Sequence, residues 1–442
     1  MMLSRCCLDG SNHPRDYRSS CALHCSQMLC LMERLLSLAK SVDGPAQWIP
    51  ERREPSPTAP SSLSGFRPDV EGLRAVAVAL VVLYHAGVPG LPAGFIGVDV
   101  FFVVSGFVIT RLLVREFSNT GRISLRSFFA RRARRILPAA VLVTGVTVMA
   151  SYLLLGPISA AFTAQDAEWT SLYSGNFRFA LAGTSYLDSQ RPPSPLQHMW
   201  SLGVEEQFYL VWPILLVLAA LGAKAVRNMR IRATIVLVAV CVASFAWSAV
   251  ETQLNGTWAF FSPLTRAGEL GVGALTAVVT FGLRRSHSAV ALGLAVAGLC
   301  GIIGSAVLFT PQTPWPGTAI LVPSLGTALV VLGGCLDDRG PVRRLLGVAP
   351  LRWVGSRSYS IYLWHWPVLI IAAEYFEVER LPLSWSLPLI ALSLALAEIS
   401  YRLVENPIRS WTWLNARPLV SISLGVTLSL STFVAMAIVA TS

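Results

Sequence analysis

Apolar runs long enough to cross a lipid bilayer recur along this chain from Leu73 onward, and that recurrence leaves few folds open. A membrane helix needs about 20 mostly apolar residues. Such runs fall at 73–88, 95–114, 136–155, 198–221, 231–250, 263–282, 288–309, 317–335, 358–376, 383–404 and 419–440. Inside lipid every backbone polar group needs an internal partner, so these runs fold as helices. The chain is 54% hydrophobic and 13% charged, with a mean hydropathy of +0.58, well outside the range of soluble domains. The expected fold is an all-α integral membrane protein, a polytopic bundle of about 10–11 transmembrane helices. A re-entrant or interfacial helix within 157–180 is the segment that could alter the count.

Charge sets the orientation. The net charge of +11 would suggest nucleic acid in a soluble chain, but here it reads as topology and no nucleic-acid partner is expected. The loop 115–135 carries seven Arg against Glu116, 222–230 carries Lys224, Arg227 and Arg230, 283–287 carries Arg284 and Arg285, 336–357 carries five Arg, and 405–418 carries Arg409 and Arg417. The alternate loops are poor in base: 156–197 sets Asp166, Glu168 and Asp188 against Arg178 and Arg191, and 251–262 has Glu251 alone. Basic loops stay cytoplasmic, so the N-terminus is expected on that side.

Residues 1–65 differ in composition. Cys6, Cys7, Cys21, Cys25 and Cys30 fall early, without metal-site spacing, and a stretch rich in Pro, Ser and charge follows; a disordered extension with reduced thiols is expected. The apolar patch at 28–38 contains Glu33 and Arg34, which suits an amphipathic surface helix or a non-structural extension better than a signal peptide.

The first span, EGLRAVAVALVVLYHAG, carries Arg74 near one end and His85 near the other. Eleven helical residues turn through about 1100° and rise about 16 Å, so the two side chains share one face. One reading makes Arg74 a cytoplasmic end charge and His85 an outer cap. The other makes the stripe part of a polar site. Further groups favour a polar cavity in the outer half: Asp99 in the second span, His198, Glu205 and Glu206 in the fourth, Arg266 and Glu269 in the sixth and His365 in the ninth. An ionised group on a membrane helix costs at least about 2.5–3.5 kcal/mol and normally faces a partner or water. His198 and Glu205 lie two turns apart on one face, whereas Glu206 and Glu269 suit structural ion pairs.

The segment ISLRSFFARRARRILPA places Arg126, Arg131, Arg132, Arg134 and Arg135 beside Phe128, Phe129 and Ile136. Anionic headgroups explain such a cluster, and so does an anionic ligand, since guanidinium groups grip phosphate. A phosphate-bearing donor at the inner mouth, reaching toward His85, would use both ends of the stripe. No GxSxG, HExxH or Walker sequence is present, and no metal site is expected.

FRPDVEGLRAVAVALVVLYHAG, GVDVFFVVSGFVIT, the double-Arg loop, LQHMWSLGVEEQFYLVWP, YSIYLWHWP and EISYRLVENPIR follow in an order that resembles acyltransferase family 3, the inner-membrane O-acyltransferases of bacterial surface glycans. The resemblance implies an acyltransferase domain over 66–410, with 1–65 an extension and 411–442 the final helix and C-terminus. It maps a basic residue and a catalytic His onto Arg74 and His85, and the double-Arg motif onto Arg131 with Arg134 or Arg132 with Arg135. The implied donor is acyl-CoA, chiefly acetyl-CoA, and the implied acceptor a hydroxyl on a cell-envelope glycan or lipid-linked glycan, at a cytoplasmic (inner) membrane. His85 is then the general base, with Glu205 or Asp99 as orienting carboxylate and His198, Glu206, His365, Arg266 and Glu269 as support; a covalent acyl-histidine is the competing route. TSYLDSQRPPSPLQHMWSL is similar to the branch that often carries an extracytoplasmic SGNH domain, whereas this chain stops at Ser442; it is expected to act alone, with a separate extracytoplasmic partner, or as a shortened member. From composition alone a transporter or flippase fits equally well.

Overall fold

The computed structural model describes residues 67–183, 193–283 and 288–441. The expected tail 1–65, with its cysteines and the 28–38 patch, lies outside them, as do Asp188, Arg191, Arg284 and Arg285. The described residues contain helices and turns and no strand. Eleven helices account for the eleven apolar runs: α1 (Pro68–His85), α2 (Gly97–Thr120), α3 (Leu125–Leu155), α4 (Trp200–Ala220), α5 (Val226–Leu254), α6 (Pro263–Thr280), α7 (Ser288–Leu308), α8 (Leu321–Leu336), α9 (Ala349–Tyr375), α10 (Leu383–Ser400) and α11 (Pro418–Val439). The ambiguous 157–180 stretch forms two shorter helices, Pro157–Ser171 and Gly175–Leu181.

Seven of these helices, α2, α3, α4, α5, α7, α10 and α11 with their flanking turns, are long and apolar enough to cross a membrane. That is fewer than the 10–11 expected, for identifiable reasons. Helix α8 has only 16 residues, and α1 carries Asp69, Glu71 and Arg74 within its 18. The molecule is an all-α polytopic membrane bundle. Its lipid-facing character shows in large exposed apolar side chains such as Leu153, Phe162, Val242 and Leu308.

Local sequence explains the helix ends. Pro68 pre-sets the first turn of α1, Asp69 and Glu71 complement its N-terminal dipole, and Gly87, at φ 75°, takes the chain away just beyond His85. Helix α2 ends on left-handed Gly121, whose N–H bonds back to the Phe117 carbonyl at 2.8 Å. Ser124 caps α3, accepting from the Ser127 N–H. At 31 residues α3 runs about 46 Å, longer than the hydrocarbon layer, so it has turns to spare for its arginine-rich start.

Two close approaches position the site. A Cβ on Gly355 of α9 would stand 1.9 Å from the Glu71 carbonyl oxygen of α1, and one on Gly106 of α2 would stand 1.9 Å from the Leu270 carbonyl oxygen of α6. Only hydrogen at these positions lets the backbones meet, as small residues do wherever membrane helices pack tightly. The first contact registers α1 against α9, and therefore His85 against His365; the second registers α2 against α6, and therefore Asp99 against Arg266.

Candidate active site

A cavity of about 780 Å³, counting its open mouth, lies among α1, α2, α3, α4 and α9. Its polar lining is Arg74, Ser105, Arg132, Arg135, Ser201, Glu205, Tyr209, Ser358, Tyr359 and Tyr362, set among Val98, Phe101, Phe102 and Ile136. Arg132 is anchored: it donates to Glu206 Oε1 at 3.0 Å, stands 3.8 Å from Glu205 Oε1, and lies over the Tyr209 ring. Glu205 Oε1 also accepts from Ser105 Oγ at 2.5 Å and from the Tyr209 hydroxyl. Arg74 and Arg135 differ, because neither makes a hydrogen bond or ion pair with another described residue. Two unpaired guanidinium groups and one paired one in a half-enclosed cavity form a setting for an anion.

Beyond the Tyr362 end of the cavity stand three histidines. His85, at the C-terminal end of α1, places Nδ1 3.1 Å from Nε2 of His365 on α9, and its ring meets Trp366 edge-on at 4.5 Å. His365 Nδ1 lies 2.7 Å from the Tyr362 carbonyl oxygen, and the His198 ring packs edge-on against His365 at 5.8 Å. His198 and His365 are fully buried. The Tyr362 hydroxyl bonds to Ser201 Oγ at 2.7 Å and to the His198 carbonyl oxygen at 2.8 Å, so one residue borders both the cavity and the histidine cluster. Among the described residues no group of three or more His, Cys, Asp or Glu is arranged to hold a metal ion.

The expected residues separate into groups. Of the two double-Arg pairings, Arg132 and Arg135 line the cavity; Arg131 is about half exposed and reaches Glu116 at 3.5 Å, while Arg134 is buried against α11, donating to Ser421 Oγ at 2.8 Å and to the Leu414 carbonyl. Asp99, expected as an orienting carboxylate for His85, is turned elsewhere: its Oδ1 accepts from Arg266 Nη2 at 2.7 Å, and Arg266 Nε stands 2.9 Å from Glu269 Oε1. Phe102, Trp200 and Phe260 surround that guanidinium, and an arginine in so apolar a place requires carboxylates beside it. Glu205, the other expected carboxylate, is likewise engaged with Tyr209, Ser105 and Arg132. The ring that meets His85 Nδ1 belongs to a histidine.

Sequence reasoning passed over Tyr209, Ser105, Ser201, Tyr362 and Glu405. Tyr209 had a signal, being one helical turn past Glu205. Glu405, fully buried, lies in a π-helical turn at Tyr401–Glu405 and accepts from Ser360 Oγ at 2.8 Å. Such turns often mark functional positions, but the sequence EISYRLVENP does not announce one.

An arginine-lined cavity on one side of a histidine cluster, set within a polytopic helical bundle, defines an all-α membrane protein with polar groups gathered inside it. The chain belongs to the acyltransferase domain family of acyltransferase family 3, whose profile matches residues 67–402. It is similar to the putative peptidoglycan O-acetyltransferase YrhL of Bacillus subtilis, 34% identical over 360 residues covering 78% of this chain and 55% of that protein. It is also similar to the peptidoglycan O-acetyltransferase OatA of Listeria monocytogenes, at 33% over 362 residues, 79% of this chain and 57% of the relative. The O-acetyltransferase OatA of Staphylococcus aureus matches at 31% over 353 residues, 78% and 57% of the two chains. The chain thus spans little more than half the length of the curated relatives it matches. No solved structure matches it.

Proposed function

We propose that this protein transfers an acyl group, acetyl in the first instance, from acyl-CoA to a hydroxyl of a cell-envelope glycan or lipid-linked glycan in the bacterial cytoplasmic membrane. The observation that carries this reading is the pair of unpaired guanidinium groups, Arg74 and Arg135, in one cavity with Arg132, while His85 stands about 16 Å up the same helix from Arg74. The acyl chemistry comes from the family, and the glycan acceptor from the names its relatives carry. The catalytic unit is assigned to 66–410, with α11 outside it. Helices α1, α6, α8 and α9 are read as crossing the membrane with the other seven, with the N-terminus and basic loops cytoplasmic.

In this reading the CoA phosphates are held by Arg74, Arg132 and Arg135, and the pantetheine arm, comparable in length with the helix offset, carries the thioester past Tyr362 toward His85. Glu205 and Glu206 hold Arg132 in place. The neutral imidazole of His85 accepts the proton of the acceptor hydroxyl as its oxygen attacks the thioester carbonyl carbon. The carbon–sulfur bond breaks, the imidazolium returns its proton to the departing thiolate, and the products are the O-acyl glycan and CoA thiol. The acceptor enters from the outer side, where His85 is only half-buried.

The test is acyl transfer by the purified full-length chain in proteoliposomes, with radiolabelled acetyl-CoA on the cytoplasmic face and peptidoglycan fragments on the other. Label should appear as alkali-labile ester on the glycan, and His85→Ala should abolish it. Movement of a lipid-linked substrate with no ester formed would instead identify a flippase.

A further inference from the structure

We propose that His365 is the positioning residue of this site: its own tautomer is fixed by the Tyr362 carbonyl, and it in turn fixes the tautomer of His85 that can act as a base. The inference rests on the assignment of His85 as general base and adds the group that makes the base competent.

The argument begins with a proton count. A carbonyl oxygen only accepts, so the 2.7 Å contact between the Tyr362 oxygen and His365 Nδ1 places the ring proton of neutral His365 on Nδ1. Its Nε2 is then a bare acceptor. The 3.1 Å contact from that Nε2 to His85 Nδ1 requires His85 to donate, so His85 carries its proton on Nδ1 and its lone pair on Nε2. The ring geometry agrees. The two planes differ by 15°, and the 5.3 Å between centroids equals the nitrogen contact plus the two ring radii, so the rings meet end to end in nearly one plane. His365 is fully buried, with the His198 ring edge-on against it, so it has little room to turn over.

The arrangement reproduces the logic of a nucleophile–base–orienter set, with a histidine in the place usually held by a carboxylate. The substitution suits its location. A neutral imidazole oriented by a helix carbonyl adds no ion to a lipid-embedded helix, whereas a buried carboxylate there would need a counterion of its own, as Asp99 and Glu269 have in Arg266. During transfer the proton moves from the acceptor hydroxyl to His85 Nε2 while the Nδ1–H stays bonded to His365, which spreads the new positive charge without taking up a proton.

Two variants test this in the full-length protein in proteoliposomes. In His365→Gln the amide oxygen can reach the former Nε2 position and accept from His85; in His365→Ala that acceptor is removed. Nitrogen NMR of histidine-labelled protein at mildly alkaline pH should show His85, assigned by its loss in His85→Ala, protonated on Nδ1 in wild type and His365→Gln, and mixed in His365→Ala. Transfer from acetyl-CoA should fall by about 10² or more in kcat for His365→Ala and recover at least tenfold in His365→Gln. Acetyl-CoA binding should be unchanged in both, which also shows that they fold. An Nε2-protonated His85 in wild type, or full turnover in His365→Ala, overturns the proposal and leaves the function untouched if His85→Ala is still dead. Full transfer by His85→Ala would instead overturn the base assignment itself.

Discussion

Arg266 donates to Asp99 at 2.7 Å across α6 and α2, and neither side chain is more than 1% exposed. With Glu269 at 2.9 Å the guanidinium stands between two carboxylates, so the group is a structural ion triad joining two helices. Removing one partner from a buried pair strands the other, at a cost of about 3–5 kcal/mol. Arg266→Met should therefore lower the melting temperature of the detergent-purified protein sharply, and Asp99→Asn by less, because Glu269 remains. A fully stable Asp99→Asn protein that has lost acyl transfer would return Asp99 to the catalytic set.

Among the cavity arginines the unpaired ones should matter most for the donor. Hydrogen bonds to charged groups contribute about 1.5–3 kcal/mol, and Arg135 has no hydrogen-bond or ion-pair partner among the described residues, whereas Arg132 is already held by Glu206. Arg135→Gln should weaken acetyl-CoA binding at least about tenfold and reduce its dependence on salt. Arg131→Gln, at an exposed site, should bind normally. Isothermal titration at two ionic strengths makes the comparison, and equal losses in Arg131→Gln and Arg135→Gln would remove the cavity as the donor site.

The Gly355 contact should be as strict as its geometry. Val at this position would drive a side chain into the Glu71 carbonyl, pushing α9 from α1 and drawing His365 away from His85. Gly355→Val is expected to lose both thermal stability and transfer. Gly145→Ala in α3 is the control: its added methyl meets nothing within 4 Å and should be neutral or slightly stabilising. Normal activity in Gly355→Val would show that this contact does not set the register of the site.

Much of this architecture was legible beforehand, because hydropathy and helical period act within one segment. The eleven helices, the shared face of Arg74 and His85, and the arginine-rich start of α3 all follow from such local rules. The partners did not. His85 and His365 are 280 positions apart, and Arg266 and Asp99 are 167 apart. No period within α2 tells Asp99 that an arginine of α6 awaits it. The double-Arg ambiguity has the same origin: Arg131 with Arg134 and Arg132 with Arg135 share one spacing and differ by about 100° around α3, so only the neighbours decide which pair meets the cavity and which meets solvent and α11. The seven clear spans among the eleven helices show the cost of building a site in lipid, since α1 and α6 are made less apolar by the very charges that the site and its ion triad require.

His85 as general base and His85 as acyl carrier make different predictions when the acceptor is withheld. A base has no proton to take without an acceptor hydroxyl, so acetyl-CoA alone should be bound and released unchanged apart from slow hydrolysis. A nucleophile would attack the thioester, releasing one equivalent of CoA thiol per protein in a rapid burst and leaving an acyl-imidazole. The tautomer proposed for His85 leaves Nε2 able to play either part, and a rapid-mix thiol assay in proteoliposomes separates the two. No burst is expected from the wild-type chain. His85→Ala should bind acetyl-CoA with the affinity of wild type, because the proposed function assigns the donor phosphates to Arg74, Arg132 and Arg135, and should lose transfer by about 10²–10⁴, the usual weight of a positioned base. A stoichiometric burst in wild type, absent in His85→Ala, would convert the assignment from proton transfer to covalent catalysis while leaving the cavity's role intact.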